Sequence, residues 1–233
     1  MLPVTFCAFW PVFTPYLSIA FVIFFVFIYI LVIFLTIKDS CVPELKRKVK
    51  KDGFVRKNYN PEPGRHVIEN SKCNICDIKV QKETKHCKRC NYCVGKFDHH
   101  CVWLNNCIGE ANYKLFMLLI SSVSMLSLCT FLISSYILIS WFSQSRNGLV
   151  NMNFETDSNL LRVLWILTSA ACVFVYLIAF LTTTHLLVFH IRLYKLGMTT
   201  YKYIVSKRRA KVGHMGQIST VSRTNTRTYN SQA

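Results

Sequence analysis

Three stretches of this chain, Tyr16–Ile37, Leu115–Ser140 and Val163–Phe189, contain no Asp, Glu, Lys or Arg. A helix rises about 1.5 Å per residue, so roughly 20 apolar residues cross a hydrocarbon core of about 30 Å. A buried core helix is the other home for such a run. With 233 residues in all, the chain has too little further protein to surround three of them. Serines in the second run are tolerated because a helix bonds their hydroxyls back to its own carbonyls. The composition agrees, with 52% hydrophobic residues against 17% charged ones and a mean hydropathy of +0.30. These values exclude disorder, a collagen-like fibre and a soluble nucleic-acid binder. The expected fold class is an all-α polytopic membrane protein.

The start of the chain is harder to place. Residues 1–37 are too long for one upright helix and too short for two spans and a turn. Pro3, Pro11 and Pro15 argue against a continuous helix. Leu2–Phe13 is therefore read as an interfacial or re-entrant piece, or as the remnant of a further span. No basic segment precedes the apolar run, which argues against a cleaved signal peptide.

Charge then orients the spans. Residues 38–114 carry 17 Lys/Arg against 9 Asp/Glu, and residues 192–233 carry 9 Lys/Arg with no acid. The 141–162 loop is neutral. Cytosolic loops of membrane proteins are enriched in Lys and Arg, so both basic parts are expected in the cytosol and the short loop in the lumen. The basic residues are expected to face anionic lipid rather than nucleic acid. Four parts follow: residues 1–37 with the first clear span at 16–37, a cytosolic domain at 38–114, two spans at 115–191, and a basic cytosolic tail at 192–233. From Lys207 the tail reads as disordered. His185 and His190, near the end of the last span, read as neutral interfacial histidines. Cys129 and Cys172 read as packing residues, and Cys7 and Cys41 as membrane-boundary cysteines open to acylation.

Chemistry is concentrated between Cys73 and Cys107. Seven of the 11 cysteines and three of the seven histidines lie there: Cys73, Cys76, His86, Cys87, Cys90, Cys93, His99, His100, Cys101 and Cys107. Cytosolic thiols stay reduced, so a disulfide framework explains the cluster poorly. Dense Cys and His with two-residue gaps fit tetrahedral zinc. Two structural zinc ions need eight ligands, which leaves two of the ten residues over. Asp98-His99-His100-Cys101 is the place to look for them. A Cys beside a His can ionise to the nucleophilic thiolate, and an acid can orient the imidazole. Spacing alone does not say which His is ligand and which is base. A third, incomplete metal site fits the same residues.

Cys73-x2-Cys76, His86-Cys87-x2-Cys90-x2-Cys93, Asp98-His99-His100-Cys101, Trp103, Asn105-Asn106-Cys107 and Gly109 resemble the cysteine-rich domain of the DHHC protein S-acyltransferases. The match continues through Asn112 and Phe116 into the second apolar run. The resemblance implies a small irregular two-zinc domain in a cytosolic loop between spans. It implies one zinc on Cys73, Cys76, His86 and Cys93, and a second on Cys87, Cys90, His100 and Cys107. It makes Cys101 the nucleophile and His99 the base, with Asp98 orienting His99. Trp103 and Thr200 are placed beside the acyl donor, Thr200 also approaching Asp98.

The activity implied is transfer of a fatty acyl group, palmitoyl above all, from acyl-CoA to a cysteine of a membrane-associated protein. The partners implied are acyl-CoA, such protein substrates and the lipid bilayer, with no nucleic acid, at ER or Golgi membranes. Two departures reverse charge. Where many members have Pro-x-Arg, this chain has Gln81-Lys82-Glu83; where they have Thr-Thr-x-Glu, it has Thr199-Thr200-Tyr201-Lys202. The family's Asp-Pro-Gly is Asp39-Ser40-Cys41 here, and the usual minimum of four spans is not reached. A short N-terminus of this kind fits an isoform, a fragment or a three-span protein. These departures favour the alternative, a weakly active or inactive zinc scaffold at the membrane. A RING-like ligase would need an internal Cys-x-His after a longer gap, which is absent. The uncharged spans give a channel or transporter no ionic path.

Overall fold

The computed structural model describes residues 2–55, 66–147 and 159–212. Two compact units emerge. One contains residues 1–38 and 114–189, the other residues 39–113 and 190–233.

The first unit is helical. Helix α1 (Leu2–Ile37) is unbroken through Pro3, Pro11 and Pro15, which corrects the expectation of an interrupted segment. Pro3 falls in the first turn, where no intrahelical amide bond is lost. At Pro11 and Pro15 one bond is lost, whereas leaving the helix would strip an apolar backbone of all its partners. Among the described residues, three helical segments are long and apolar enough to cross a membrane: Pro15–Ile37, Tyr113–Ser140 and Val163–Lys195. The last two belong to α3 (Tyr113–Asn147) and α4 (Asn159–Lys195), which outrun the uncharged cores by several residues. Within this unit Ser124 and Thr184 bring their hydroxyl oxygens to 2.7 Å, joining α3 to α4. Such polar links serve where hydrocarbon offers no competing partner. Residues 148–158, half of the neutral loop, lie outside the described residues.

Short strands organise the second unit, so the all-α expectation holds for the spans alone. Strands β1 (Ile68–Glu69), β2 (Lys72–Cys73) and β3 (Ile78–Lys79) form one antiparallel sheet. β4 (Lys85–Cys87) pairs with β5 (Tyr92–Val94), and β6 (His99–Cys101) with β7 (Asn106–Ile108), as two separate hairpins. Such small sheets cannot bury much apolar surface, and the core is made largely of cysteines. Helix α2 (Pro43–Asp52) closes one side. Its Leu45 joins Cys41, Val42, Ile75 and Ile78 in a buried cluster, and the Val42 amide donates to the Cys93 carbonyl at 2.9 Å. Pro43 starts this helix and Gly53, at φ 58°, stops it, each in its favoured place.

Cys41 is buried, with its thiol on Asp39 Oδ2 at 3.3 Å, so it is a packing residue rather than an exposed acylation site. The side chain of Cys7 lies outside the described residues. Cys129 is half-buried and Cys172 exposed. A final helix, α5, covers residues 200–212. The expectation of disorder from Lys207 is thus corrected over 207–212, where the helix begun at Thr200 simply continues; the rest of the tail lies outside the described residues.

Candidate functional site

Side chains on a strand alternate between its two faces, and that alternation sorts the Cys/His cluster. His86 and Cys87 are neighbours on β4 and point opposite ways. His86 faces its cross-strand partner Cys93, and both gather with Cys73 and Cys76. Cys87 turns to the other side, where Cys90, His100 and Cys107 meet it. His100 is likewise paired across β6–β7 with Cys107. In each group the donor atoms lie within 4.8 Å of one another. The residue after each Cys-x2-Cys turn, Asp77 at φ 49° and Asn91 at φ 52°, takes the left-handed conformation that lets both sulfurs face inward. Asp and Asn tolerate it better than most residues.

Both donor sets fit zinc. With Zn–S near 2.3 Å and Zn–N near 2.05 Å, a tetrahedral site has an S···N edge of about 3.6 Å. His86 Nδ1 lies 3.6, 3.4 and 3.8 Å from the sulfurs of Cys73, Cys76 and Cys93. His100 Nδ1 lies 3.7, 3.3 and 3.7 Å from those of Cys87, Cys90 and Cys107. None of these cysteines is in a disulfide. Electrostatics agrees. Hydrogen bonds from Cys76 and Cys93 pull the Cys73 thiol far down, and Cys73 and Cys76 in turn push Cys93 far up. Burial opposes a proton on His86, yet the Cys73 and Cys76 thiolates hold it at about 9. Three thiols and an imidazole this close compete for the same few protons, which a bound cation would displace.

The same alternation puts His99 and Cys101 together on the face of β6 that His100 leaves. His99 Nδ1 meets Asp98 Oδ2 at 2.7 Å. Burial penalises the charged Asp98, but the hydrogen bonds from His99 and from the Thr200 amide outweigh it and lower its pKa. Burial also opposes charge on His99. Asp98 and the Cys101 thiol prevail and raise it to about 9. For Cys101, burial is overcome by hydrogen bonds from His99 and from the Leu104 and Trp103 amides, so its pKa falls. The result is a chain of three groups, carboxylate, imidazole and thiol, in which the imidazolium–thiolate pair is favoured.

Helix α5 holds Asp98 from the far side. Thr199 caps the helix, its Oγ1 accepting from the Lys202 amide at 3.2 Å. The Thr200 amide donates to Asp98 Oδ1 at 2.7 Å, and the Tyr201 amide to the Asp98 carbonyl at 3.1 Å. Free amides at a helix N-terminus are natural partners for a carboxylate. Tyr201 packs edge-on against Phe97, with ring centroids 5.8 Å apart. The main Thr200 contact is made by its backbone amide, and its side chain adds a smaller effect that also lowers the Asp98 pKa. Trp103, at 96% exposure, is uncovered by the rest of the protein at the tip of the β6–β7 turn, beside exposed Val102.

A profile of the DHHC palmitoyltransferase family matches residues 66–207, which takes in the clusters, β6 and most of α5. The chain belongs to the DHHC family. It is 40% identical to palmitoyltransferase ZDHHC1 of Mus musculus over 168 residues, 66% of this chain and 35% of that protein. It is 40% identical over 165 residues to palmitoyltransferase ZDHHC1 of Homo sapiens, covering 64% and 34%. To human palmitoyltransferase ZDHHC11 it is 32% identical over 191 residues, covering 73% and 45%. The chain thus spans about a third of the length of the first two of these relatives.

Within this DHHC domain the two charge reversals turn out to face each other: Lys202 Nζ donates to Glu83 Oε1 in an ion pair. Ser40, where other DHHC members have proline, is buried, and its hydroxyl donates to Asn106 Oδ1 at 3.1 Å. That oxygen also accepts from Tyr92 Oη at 2.9 Å and from the Cys107 amide at 2.8 Å. Asn106 thereby ties the strand carrying Cys107 to the start of the domain.

The surroundings of His190 were not foreseen from sequence: it is 2% exposed, and its ring nitrogen lies within 4.8 Å of the donor atoms of Asp98 and His99. Its Nδ1 is 3.3 Å from Tyr113 Oη. The available signal was a histidine at the end of a run without Asp, Glu, Lys or Arg. Asp98, His99 and His190 could by composition hold a third ion, but the bond from His99 to Asp98 already satisfies that carboxylate oxygen.

Proposed function

We propose that the chain is a protein S-acyltransferase working through an acyl-enzyme on Cys101. The reading is carried by one observation: β6 turns His99 and Cys101 to one face and His100 to the other, so base and nucleophile are separated from the ligands. Cys87, Cys90, His100 and Cys107 would hold one zinc ion, and Cys73, Cys76, His86 and Cys93 the other. With four protein donors each, these sites keep no position for water, and zinc there serves to fold the domain.

Cys101 Sγ, as thiolate, attacks the thioester carbonyl of a fatty acyl-CoA such as palmitoyl-CoA. The tetrahedral adduct collapses as His99 gives its proton to the departing CoA sulfur, which leaves the acyl group on Cys101 and the imidazole neutral. The thiol of a membrane-associated protein then gives its proton to His99 and attacks the acyl-enzyme, and Cys101 departs as thiolate. One thioester replaces another, so positioning matters more than driving force. Asp98 fixes the His99 ring and favours its charged form. Trp103 and Val102 would meet the acyl chain or the bilayer, where each buried methylene contributes about 0.8 kcal/mol. The zinc domain and the tail lie in the cytosol at ER or Golgi membranes, and the neutral loop in the lumen. The partners are acyl-CoA, proteins held at the membrane, and lipid, with no nucleic acid.

Metabolic labelling with an alkyne fatty acid tests the reading, comparing the native chain with Cys101→Ser at equal expression. Hydroxylamine-labile label on the native chain that disappears in the variant is expected. Absent label, or equal label on both, overturns the acyltransferase in favour of a scaffold.

A further inference from the structure

Glu83 and Lys202 each depart from the pattern of the DHHC acyltransferases, and each reverses a charge. Glu83 stands in the turn before β4, and Lys202 in the first turn of α5. They are separated by 119 positions in sequence, yet their side chains form an ion pair. Two independent losses would have no reason to meet. A single change of polarity would.

We infer that Glu83 and Lys202 form a latch of reversed polarity that seats α5 on the domain and so positions Asp98 for catalysis. The surroundings explain how it works. The partner of Glu83 lies one residue after Tyr201, whose amide binds the Asp98 carbonyl, and two after Thr200, whose amide binds its carboxylate. Lys85, two residues after Glu83, sets its ammonium 5.4 Å from the Tyr201 ring centroid. Pulling Lys202 toward Glu83 therefore presses the amide end of α5 onto Asp98. Asp98 touches His99, so the pair are positioning residues rather than catalytic ones. The inference rests on the acyltransferase reading for its effect on rate, though not for its effect on structure.

The latch makes a counter-intuitive claim: restoring either family residue alone should harm this chain. Glu83→Arg would put a cation beside Lys202, Lys82 and Lys96, the charges that now act on Glu83. Lys202→Glu would set two carboxylates together, but the same two lysines soften their repulsion. The first should therefore be the worse change. Both side chains are about 40% exposed, and exposed pairs are individually weak, so losses of about tenfold and about threefold are expected.

Two readouts on the purified full chain, at equal zinc content, test the inference. Hydrogen exchange reports how tightly the Thr200 and Tyr201 amides are held, and alkyne-fatty-acyl-CoA loading reports the rate on Cys101. Each single reversal should speed exchange at those amides and slow loading. Lys202→Gln should have a smaller effect, since it removes a charge without adding repulsion. The double reversal, Glu83→Arg with Lys202→Glu, should recover most of both losses. A double variant as damaged as the two singles combined overturns the latch, as do single variants with native exchange. If exchange follows the latch but the native chain takes no acyl group, the latch stands and the acyltransferase reading falls.

Discussion

The ring of His190 lies 5.9 Å from that of His99, tilted by 41°. His190 comes from the end of α4 and His99 from β6, with 91 positions between them, yet both rings share the space around Asp98. Tyr113, at the start of α3, approaches His190 from another side, with ring centroids 6.0 Å apart. A buried imidazole held by a phenol thus makes a wall beside the His99 ring.

Removing that wall should cost rate more than stability. His190→Leu is expected to slow acyl loading of Cys101 by roughly tenfold, and Tyr113→Phe, which loses the hydrogen bond to His190, by about threefold. Initial rates of alkyne-fatty-acyl-CoA labelling at matched zinc content would show this. Native rates in both variants would reduce His190 to packing.

The amide of Thr200 can be deleted with little else disturbed. Thr200 is the first residue of α5, where proline is well tolerated, and Thr199 before it is non-helical. Thr200→Pro removes the donor to Asp98 Oδ1 but keeps the helix. A hydrogen bond to a charged group contributes about 1.5–3 kcal/mol, so loading should fall at least tenfold. Thr200→Ala, which keeps the amide, should stay close to the native rate; equal losses in the two variants would point to the hydroxyl instead.

Metal content separates ligand from nucleophile. Cys101→Ser should retain two zinc ions per chain by elemental analysis while losing acyl label. Cys90→Ala should bind less zinc and expose the domain to protease, because the set of Cys87, His100 and Cys107 left behind is incomplete. A two-zinc, protease-resistant Cys90→Ala chain would contradict the interleaved assignment.

Gly109 is required for space. A Cβ there would stand 2.5 Å from Val94 Cγ1 and 2.7 Å from the Gly95 carbonyl oxygen, a backbone atom with little room to yield. Gly109→Ala should destabilise the domain by about 1–3 kcal/mol through overpacking. The check is a lower thermal midpoint in detergent for the full chain; an unchanged midpoint would mean that β5 and β7 can part without cost.

Much of this was legible in one dimension. Membrane-spanning length and absence of charge are local properties, so the three apolar runs announce themselves in the sequence. The Cys and His residues are likewise countable, and the DHHC pattern names their grouping. What counting leaves open is direction. Whether His99 or His100 serves the metal depends on which face of a two-stranded hairpin each side chain takes, and that is decided by pairing with β7. Prolines in α1 mislead for a similar reason: the usual penalty assumes a chain with water as an alternative partner, which hydrocarbon does not provide. Glu83 with Lys202, and His190 with His99, are hidden more deeply still. Each pair joins residues far apart in the chain, and a charge or an imidazole carries no mark of its partner. Local chemistry thus determined the spans and the candidate donors and nucleophile. The tertiary structure decided which groups share a face, because burial and hydrogen bonding are properties of neighbours in space.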